Sequence, residues 1–225
     1  MRKQFGAIAL LAAVAFNIDT ASASTFSYSS ISVTNSEVVN IQTPRAVTGL
    51  AGQIVLNGSG ANAGQTMYAW CLDIFNDLMQ NGATYQTSPL SAGSSSGGSN
   101  PQLSATQLAS IGSLMLYGNA HIGTAHVSAA TQLAIWEVEY GSSFQFNTSG
   151  VSSATLALVN TLLSGVSPGG NLLVPNTVTL LSGPGNQSLG VASTPLPAAW
   201  LMFISGMAGL RLFVRRRTSN AAAIA

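Results

Sequence analysis

The spacing of apolar residues changes twice along this chain, and nothing else in the sequence constrains the fold as tightly. From Thr25 to Leu56 short alternations recur, Phe26-Ser27-Tyr28, Ile31-Ser32-Val33 and Ile54-Val55-Leu56. Period two with branched side chains predicts strands, and Asn57 to Gly64 predicts a turn. Thr66 to Leu78 is aromatic and branched enough for a buried strand, although its second half also fits a helix. Ser91 to Asn100 (SAGSSSGGSN) has the composition of a flexible, linker-like loop. Helical spacing follows. Ser104 can cap a helix through Tyr117 with Gly118 as its stop, and Leu108, Ile111 and Met115 form its stripe. Ser128 can cap a second helix carrying Thr131 to Tyr140 and ended by Gly141; Ser152 or Ser153 can start a third that ends near Gly165. Leu172 to Leu181 and Gln187 to Val191 return to strand-like composition. The expectation is an α+β fold over residues 24–193, a β-rich domain with a helical block inserted between outer strands.

Charge is scarce and unevenly placed. Only 6% of the 225 residues are charged, against about 25% in an ordinary soluble domain. The cations are Arg2, Lys3, Arg45, Arg211, Arg215, Arg216 and Arg217. Between residues 24 and 193 Arg45 alone therefore stands against Glu37, Asp73, Asp77, Glu137 and Glu139. A nucleic-acid binder needs clustered Lys and Arg to neutralise phosphates, so that class is set aside. Disorder is disfavoured too, because its signature is low hydrophobicity with high net charge.

The two ends read as addresses. Arg2-Lys3, an apolar run from Phe5 to Phe16, and Ala21-Ser22-Ala23 have the order of a secretory signal peptide covering residues 1–23. At the other end Thr194-Pro195-Leu196-Pro197 breaks regular structure. Ala198 to Val214 then gives 17 residues, the short limit of a spanning helix with Arg211 snorkelling. Arg215, Arg216 and Arg217 would stay cytoplasmic. Residues 194–217 resemble the PEP-CTERM class of sorting signals, in the variant where Pro-Leu-Pro-Ala replaces Pro-Glu-Pro; residues 218–225 overhang the basic cluster. The resemblance implies a Gram-negative bacterium and an exosortase-type enzyme that cuts near Pro195-Leu196-Pro197. It also implies a membrane helix (198–214) that is transient, and a final place at the cell surface or in the extracellular matrix. A permanent single-pass anchor is the alternative.

Cys71 is the only cysteine, so in an exported protein it is an inert buried thiol, an intermolecular bridge or a reactive group. Trp70-Cys71-Leu72-Asp73 and Thr131-Gln132-Leu133-Ala134-Ile135-Trp136, in that order and beside the only cysteine, resemble the two halves of a TQxA-type thioester domain of bacterial surface adhesins. The resemblance covers these two segments and implies that Cys71 supplies the sulfur and Gln132 the acyl carbon of an internal thioester, with Ile135 and Trp136 as walls of the site and Trp70 and Asp73 beside it. The chemistry is intelligible by itself. A thiolate adds to an amide carbonyl when it is held at near-attack distance, the developing oxyanion is stabilised and ammonia is lost. On a helix Gln132 shares a face with Ile135, Trp136 and Glu139, so it can point into an apolar slot that keeps water from hydrolysing the bond. An amine, a protein lysine or a polyamine, would then attack and become attached through an amide. No catalytic turnover, metal or cofactor is expected.

Plainer readings stand beside this one. Gln132 also reads as a solvated helix residue, Trp136 and Tyr140 as core, and Asp73 either as a proton shuttle for departing ammonia or as a turn cap. Gln107, in the other Thr-Gln-Leu-Ala, lacks Ile-Trp after it and is the control that should not react. A cysteine hydrolase would pair Cys71 with His121 or His126. A non-covalent structural protein of an exopolysaccharide matrix would need both terminal signals and no thioester. Lys3 is the only lysine, and a mature domain free of lysine amines would not attack its own electrophile.

Overall fold

The opening alternations build one long strand, β1 (Ser24–Thr43), rather than several short ones. It stays continuous because it serves three partners, all antiparallel. Ser24–Ser27 pair with β4 (Thr84–Pro89), Tyr28–Ile41 with β2 (Val47–Gly58), and Asn40–Thr43 with β5 (Gln145–Asn147). Register shifts after Tyr28 and Thr34 are bulges that bend and twist the strand as it passes between partners. β3 (Thr66–Cys71), β6 (Thr177–Gly183) and β7 (Asn186–Ser193) complete the sheet. Its order is β2-β3-β7-β6-β4-β1-β5, and the additional β1–β2 pairing closes the first six strands into a ring. Closure satisfies strand edges that an open sheet would leave exposed. This computed structural model describes residues 24–79, 82–121, 123–173 and 177–193. The signal-peptide reading (1–23) and the sorting-signal reading (194–217, with the overhang to 225) lie outside the described residues. Among the described residues no helix is long and apolar enough to cross a membrane.

Three helices separate β4 from β6 in sequence: α1 (Ala105–His121), α2 (Ala125–Tyr140) and α3 (Ser153–Val166). This is the α+β arrangement with an inserted helical block that the changing periodicity predicts. α2 lies against β1 and β2 on one side and against α1 and α3 on the other, while α1 covers β6 and β7. Every residue of α2 from Ser128 to Trp136 is buried. A helix covered on all sides needs no polar stripe.

Four local expectations are corrected. Gly118 does not stop α1, which runs on to His121; a Cβ there would collide with the Trp70 indole and the Thr131 methyl, so the glycine exists for close approach. Ser128 does not cap α2, whose N-cap is Thr124. Its buried hydroxyl instead accepts from Gln53 N–H (2.7 Å) and donates to Thr34 O (3.2 Å), pinning the helix to β2 and β1. The segment Ser91–Asn100 is no linker: Gly93 N–H donates to Leu103 O and Leu103 N–H donates to Ser94 O, and Ser96 and Asn100 are buried. After Cys71 the chain forms a capped turn rather than more strand or a helix. Ser104, Gly141 and Ser152 terminate helices as expected. Ser104 and Gln107 form a reciprocal capping box, with Gln107 N–H donating to Ser104 Oγ (3.2 Å) and Ser104 N–H to Gln107 Oε1 (3.0 Å).

Candidate functional site

Cys71 is the last residue of β3, and its position in the ladder decides what happens to its backbone. Trp70 pairs with Gly190, and Leu72 N–H donates to Ser188 O, so the even-numbered residues face β7. In an antiparallel ladder the intervening residue faces the other neighbour. There β2 has already diverged, since its pairing with β3 ends at Ile54 and Ala69. The Cys71 N–H and C=O would be stranded in the core.

The side chain of Gln132 takes the place of the missing strand. Cys71 N–H donates to Gln132 Oε1 and Gln132 Nε2 donates to Cys71 O, each at 2.9 Å. Gln132 is fully buried, so the solvated-helix reading is excluded. This reciprocal pair fixes the carboxamide beside the residue whose thiol would attack it. It also polarises the carbonyl, because the Cys71 N–H already sits on the oxygen where negative charge would develop.

The sulfur is held by the turn that follows. Cys71 Sγ donates to Asp73 O at 3.3 Å and accepts from Asp73 N–H at 3.4 Å. The Asp73 carboxylate is occupied as a turn cap: Oδ1 accepts from Phe75 and Asn76 N–H and Oδ2 from Asn76 Nδ2. Of the two roles considered for Asp73, the contacts are those of the cap. Burial pushes the Cys71 thiol well above its ordinary pKa, with nearby Glu139 and Asp73 adding to the rise; the Asp73 backbone and the Trp136 indole N–H act in the opposite direction. A resting thiol in this place is therefore neutral and poorly reactive toward outside reagents.

Successive turns of α2 run beside residues 71–74. Trp136, one turn after Gln132, lines a cavity of about 240 Å³ together with Cys71. Leu50, Ile54, Ile74 and Gln187 also line it, and Asp77 stands at its rim. Farther along α2, Tyr140 Oη accepts from Ile74 N–H (3.3 Å) and lies 2.7 Å from Asn100 Oδ1. Glu139 is buried, which raises its pKa well above the carboxylate range, an effect that the Ser96 hydrogen bond opposes and Asp73 reinforces. Ser96 Oγ lies 2.7 Å from Glu139 Oε1 and 2.8 Å from Leu72 O. Ser96 Oγ is the donor toward both acceptors, and its single hydrogen serves one of them at a time. Arg45 braces the other side, with Nη1 on Phe75 O (2.7 Å), Ile74 O (3.2 Å) and the Asp77 carboxylate (3.4 Å).

The structure thus brings Cys71, Gln132, Asp73 and Trp136 together. Trp70 and Ile135 are buried but do not line the cavity. Strand alternation turns Trp70 toward α1, where its indole donates to Asn119 Oδ1 at 3.1 Å, so it supports the site from beneath. Gln107 is spent on its cap and on Val138 O. His121 stacks on Tyr117 and bonds that residue's carbonyl, while His126 acts on Glu37; neither lines the cavity. Ser96, Asn100 and Gln187 were missed by the sequence reading. Gln187 Nε2 donates to Asp73 O (2.8 Å), and no residue pattern around these three distinguishes them from ordinary loop and strand polar groups.

No protein-family model matches the chain, and no curated protein matches it. Solved structures do. An N-terminal thioester domain of a surface protein from Clostridium perfringens, in its Cys138Ala mutant, superposes with a TM-score of 0.50 at 12% identity, covering 64% of this chain and 89% of that one. The same domain without the mutation gives 0.46 at 11% identity over 62% and 86%. The N-terminal domain of the Streptococcus pyogenes pilus tip adhesin Cpa gives 0.46 at 12% over 77% and 95%. At such identities the likeness is one of fold: the domain is built like the N-terminal thioester domain of a Clostridium perfringens surface protein.

Proposed function

We propose that the protein is an exported surface or matrix protein that attaches covalently to amine-bearing ligands through a Cys71–Gln132 thioester. The observation that carries this reading is the reciprocal 2.9 Å pair between the Gln132 carboxamide and the Cys71 backbone in a buried site. In formation the Cys71 sulfur bonds to Gln132 Cδ and the C–Nε2 bond breaks. The amide nitrogen leaves as ammonia, taking the proton that the thiol gave up. In use, a ligand amine bonds to the same carbon, the C–S bond breaks, and the amine's proton returns the sulfur to a thiol. The fold likeness and the matched segments around Cys71 and Gln132 support adhesion as the purpose. The terminal segments support export and exosortase-type sorting, with a protein lysine or a polyamine as the ligand amine.

Intact mass spectrometry tests the reading. The purified mature protein should be lighter by one ammonia, methylamine should add to it, and Cys71→Ala should abolish both effects. A full-mass protein whose thiol titrates in the native state would sink the proposal. Replacing His121 or His126 should leave both mass changes intact, whereas a hydrolase would depend on one of them.

A further inference from the structure

Among the described residues four buried side-chain polar atoms have no hydrogen-bond partner: Asn100 Nδ2, Trp136 Nε1, Glu139 Oε2 and Asn186 Nδ2. Of these residues only Trp136 lines the cavity that reaches Cys71. Trp136 is 4% exposed, its indole can only donate, and a buried donor left unused forfeits its hydration without replacement. Cys71 and Trp136 line the same cavity, and the indole N–H favours the anionic form of the Cys71 sulfur against the upward push of burial. A neutral thiol is a weak acceptor and a thiolate a strong one. The N–H therefore has a full partner only while the sulfur carries charge.

We propose, resting on the thioester reading above, that Trp136 is a catalytic residue whose indole N–H donates to the Cys71 sulfur each time that atom becomes thiolate-like. This happens twice. During formation the thiol yields its proton and attacks Gln132 Cδ, and the proton leaves with ammonia. During attachment the incoming amine expels the sulfur from the same carbon, and the amine's proton goes to it. A donor idle in the ground state and engaged at these moments lowers the barrier, because its interaction is made only on the way through the transition state. The Cys71 N–H serves the oxygen; Trp136 serves the sulfur.

A wall and a donor predict opposite signs, which makes the idea testable. In Trp136→Phe, and in a protein carrying 3-benzothienylalanine at position 136, the N–H is gone; the second replacement keeps the shape of the indole. Each is followed by intact mass during reaction with methylamine, beside the wild type. If Trp136 donates, both proteins add methylamine more slowly. The expected loss is about ten- to hundredfold, at or below the ~10²–10³ of a donor aimed at oxygen, because sulfur is the weaker acceptor. A folded benzothienyl protein that stays at full mass while the wild type is light by one ammonia counts the same way, since formation needs the same donor. Rates equal to wild type in the benzothienyl protein, or faster addition and hydrolysis in both, would overturn the proposal in favour of a mere wall. A wild type at full mass would instead bring down the thioester reading itself, and this inference with it.

Discussion

Replacing Gln132 by glutamate probes the seat of the carboxamide without using the thioester at all. The reference is Cys71→Ala, which keeps the backbone N–H and C=O of residue 71 but cannot cross-link, and the test protein is Cys71→Ala with Gln132→Glu. In the parent, Oε1 accepts from the residue 71 N–H and Nε2 donates to its C=O, both at 2.9 Å and shielded from solvent. The new carboxyl keeps both bonds only when protonated. If it ionises, two acceptors face each other in the core with a buried charge, which costs more than staying neutral. The folded protein therefore holds the proton, while the unfolded chain releases it above a pKa of about 4.3. A group whose folded pKa is raised has its stability in place below the unfolded value and loses it as pH rises. At pH 7 the loss amounts to about 2.7 pH units at ~1.4 kcal/mol each, or roughly 3.7 kcal/mol, a large part of the ~5–15 kcal/mol that holds a domain together. Urea unfolding at pH 4, 5.5 and 7 measures it. The two proteins should be nearly equal at pH 4 and diverge by about 1.4 kcal/mol per pH unit above it. Equal stability at pH 7, or a gap that does not change with pH, would refute the claim that this side chain completes the β3 ladder. Hydrolysis of a Cys71–Gln132 thioester would leave the same carboxyl in the same place, so a spent molecule would carry the same penalty.

Two further outcomes follow from the packing around the site. Burial raises the Glu139 pKa, so the wild-type fold should lose stability as pH rises above 4.5, by up to about 1.4 kcal/mol per pH unit. Glu139→Gln should flatten most of that slope in urea midpoints between pH 5 and 7, leaving the smaller contribution of Glu137, which burial shifts in the same direction; parallel slopes would show that Glu139 ionises freely in the fold. Gly118→Ala should destabilise the domain in thermal or urea unfolding. The overpacking against Trp70 and Thr131 costs about 1–3 kcal/mol, more than the ~1 kcal/mol that alanine gains over glycine in a helix, and an unchanged or raised midpoint would mean that α1 does not lie that close to β3.

The class of the fold and the two halves of the site were legible from residues; the supports of the site were not, for a physical reason. Periodicity reports which face of an element is covered, so the strand runs, the helical block and the ends at Gly141 and Ser152 could be placed. The Cys71 and Gln132 segments carry enough aromatic and aliphatic neighbours to be recognised as a pair. A serine or glycine, however, announces only that it is small or able to bend. Ser96 sits in a run of serines and glycines that composition marks as solvated, yet its hydroxyl is turned inward to Leu72 O. Ser128 looks like a helix cap and is a rivet between α2 and two strands. Gly118 looks like a stop and is clearance for an indole. In each case the deciding partner is distant in sequence, and local propensity has no access to it. The same holds for the Cys71 backbone, whose need for a side-chain partner arises only because β2 leaves β3 one pair too early.

The lysine-free interior of the chain links this geometry to its use. Lys3 is the only lysine, and the cavity that ends on Cys71 is bordered by Leu50, a residue of β2 that is 51% exposed. If that cavity is the path by which an amine reaches Gln132 Cδ, an amine installed on its border should arrive first. Leu50→Lys should then convert the thioester into an internal amide. The protein would remain lighter by one ammonia, because the amide nitrogen of Gln132 has still departed, but methylamine would no longer add and the Cys71 thiol would become titratable in the unfolded protein. These three readings separate the outcome from a failed thioester, which restores full mass, and from an intact one, which still takes methylamine. A Leu50→Lys protein that reacts with methylamine as the wild type does would show that amines enter from another side. The absence of lysine would then have no bearing on self-protection at this face, and the border between Leu50 and Asp77 would lose its claim as the place where a ligand's amine enters.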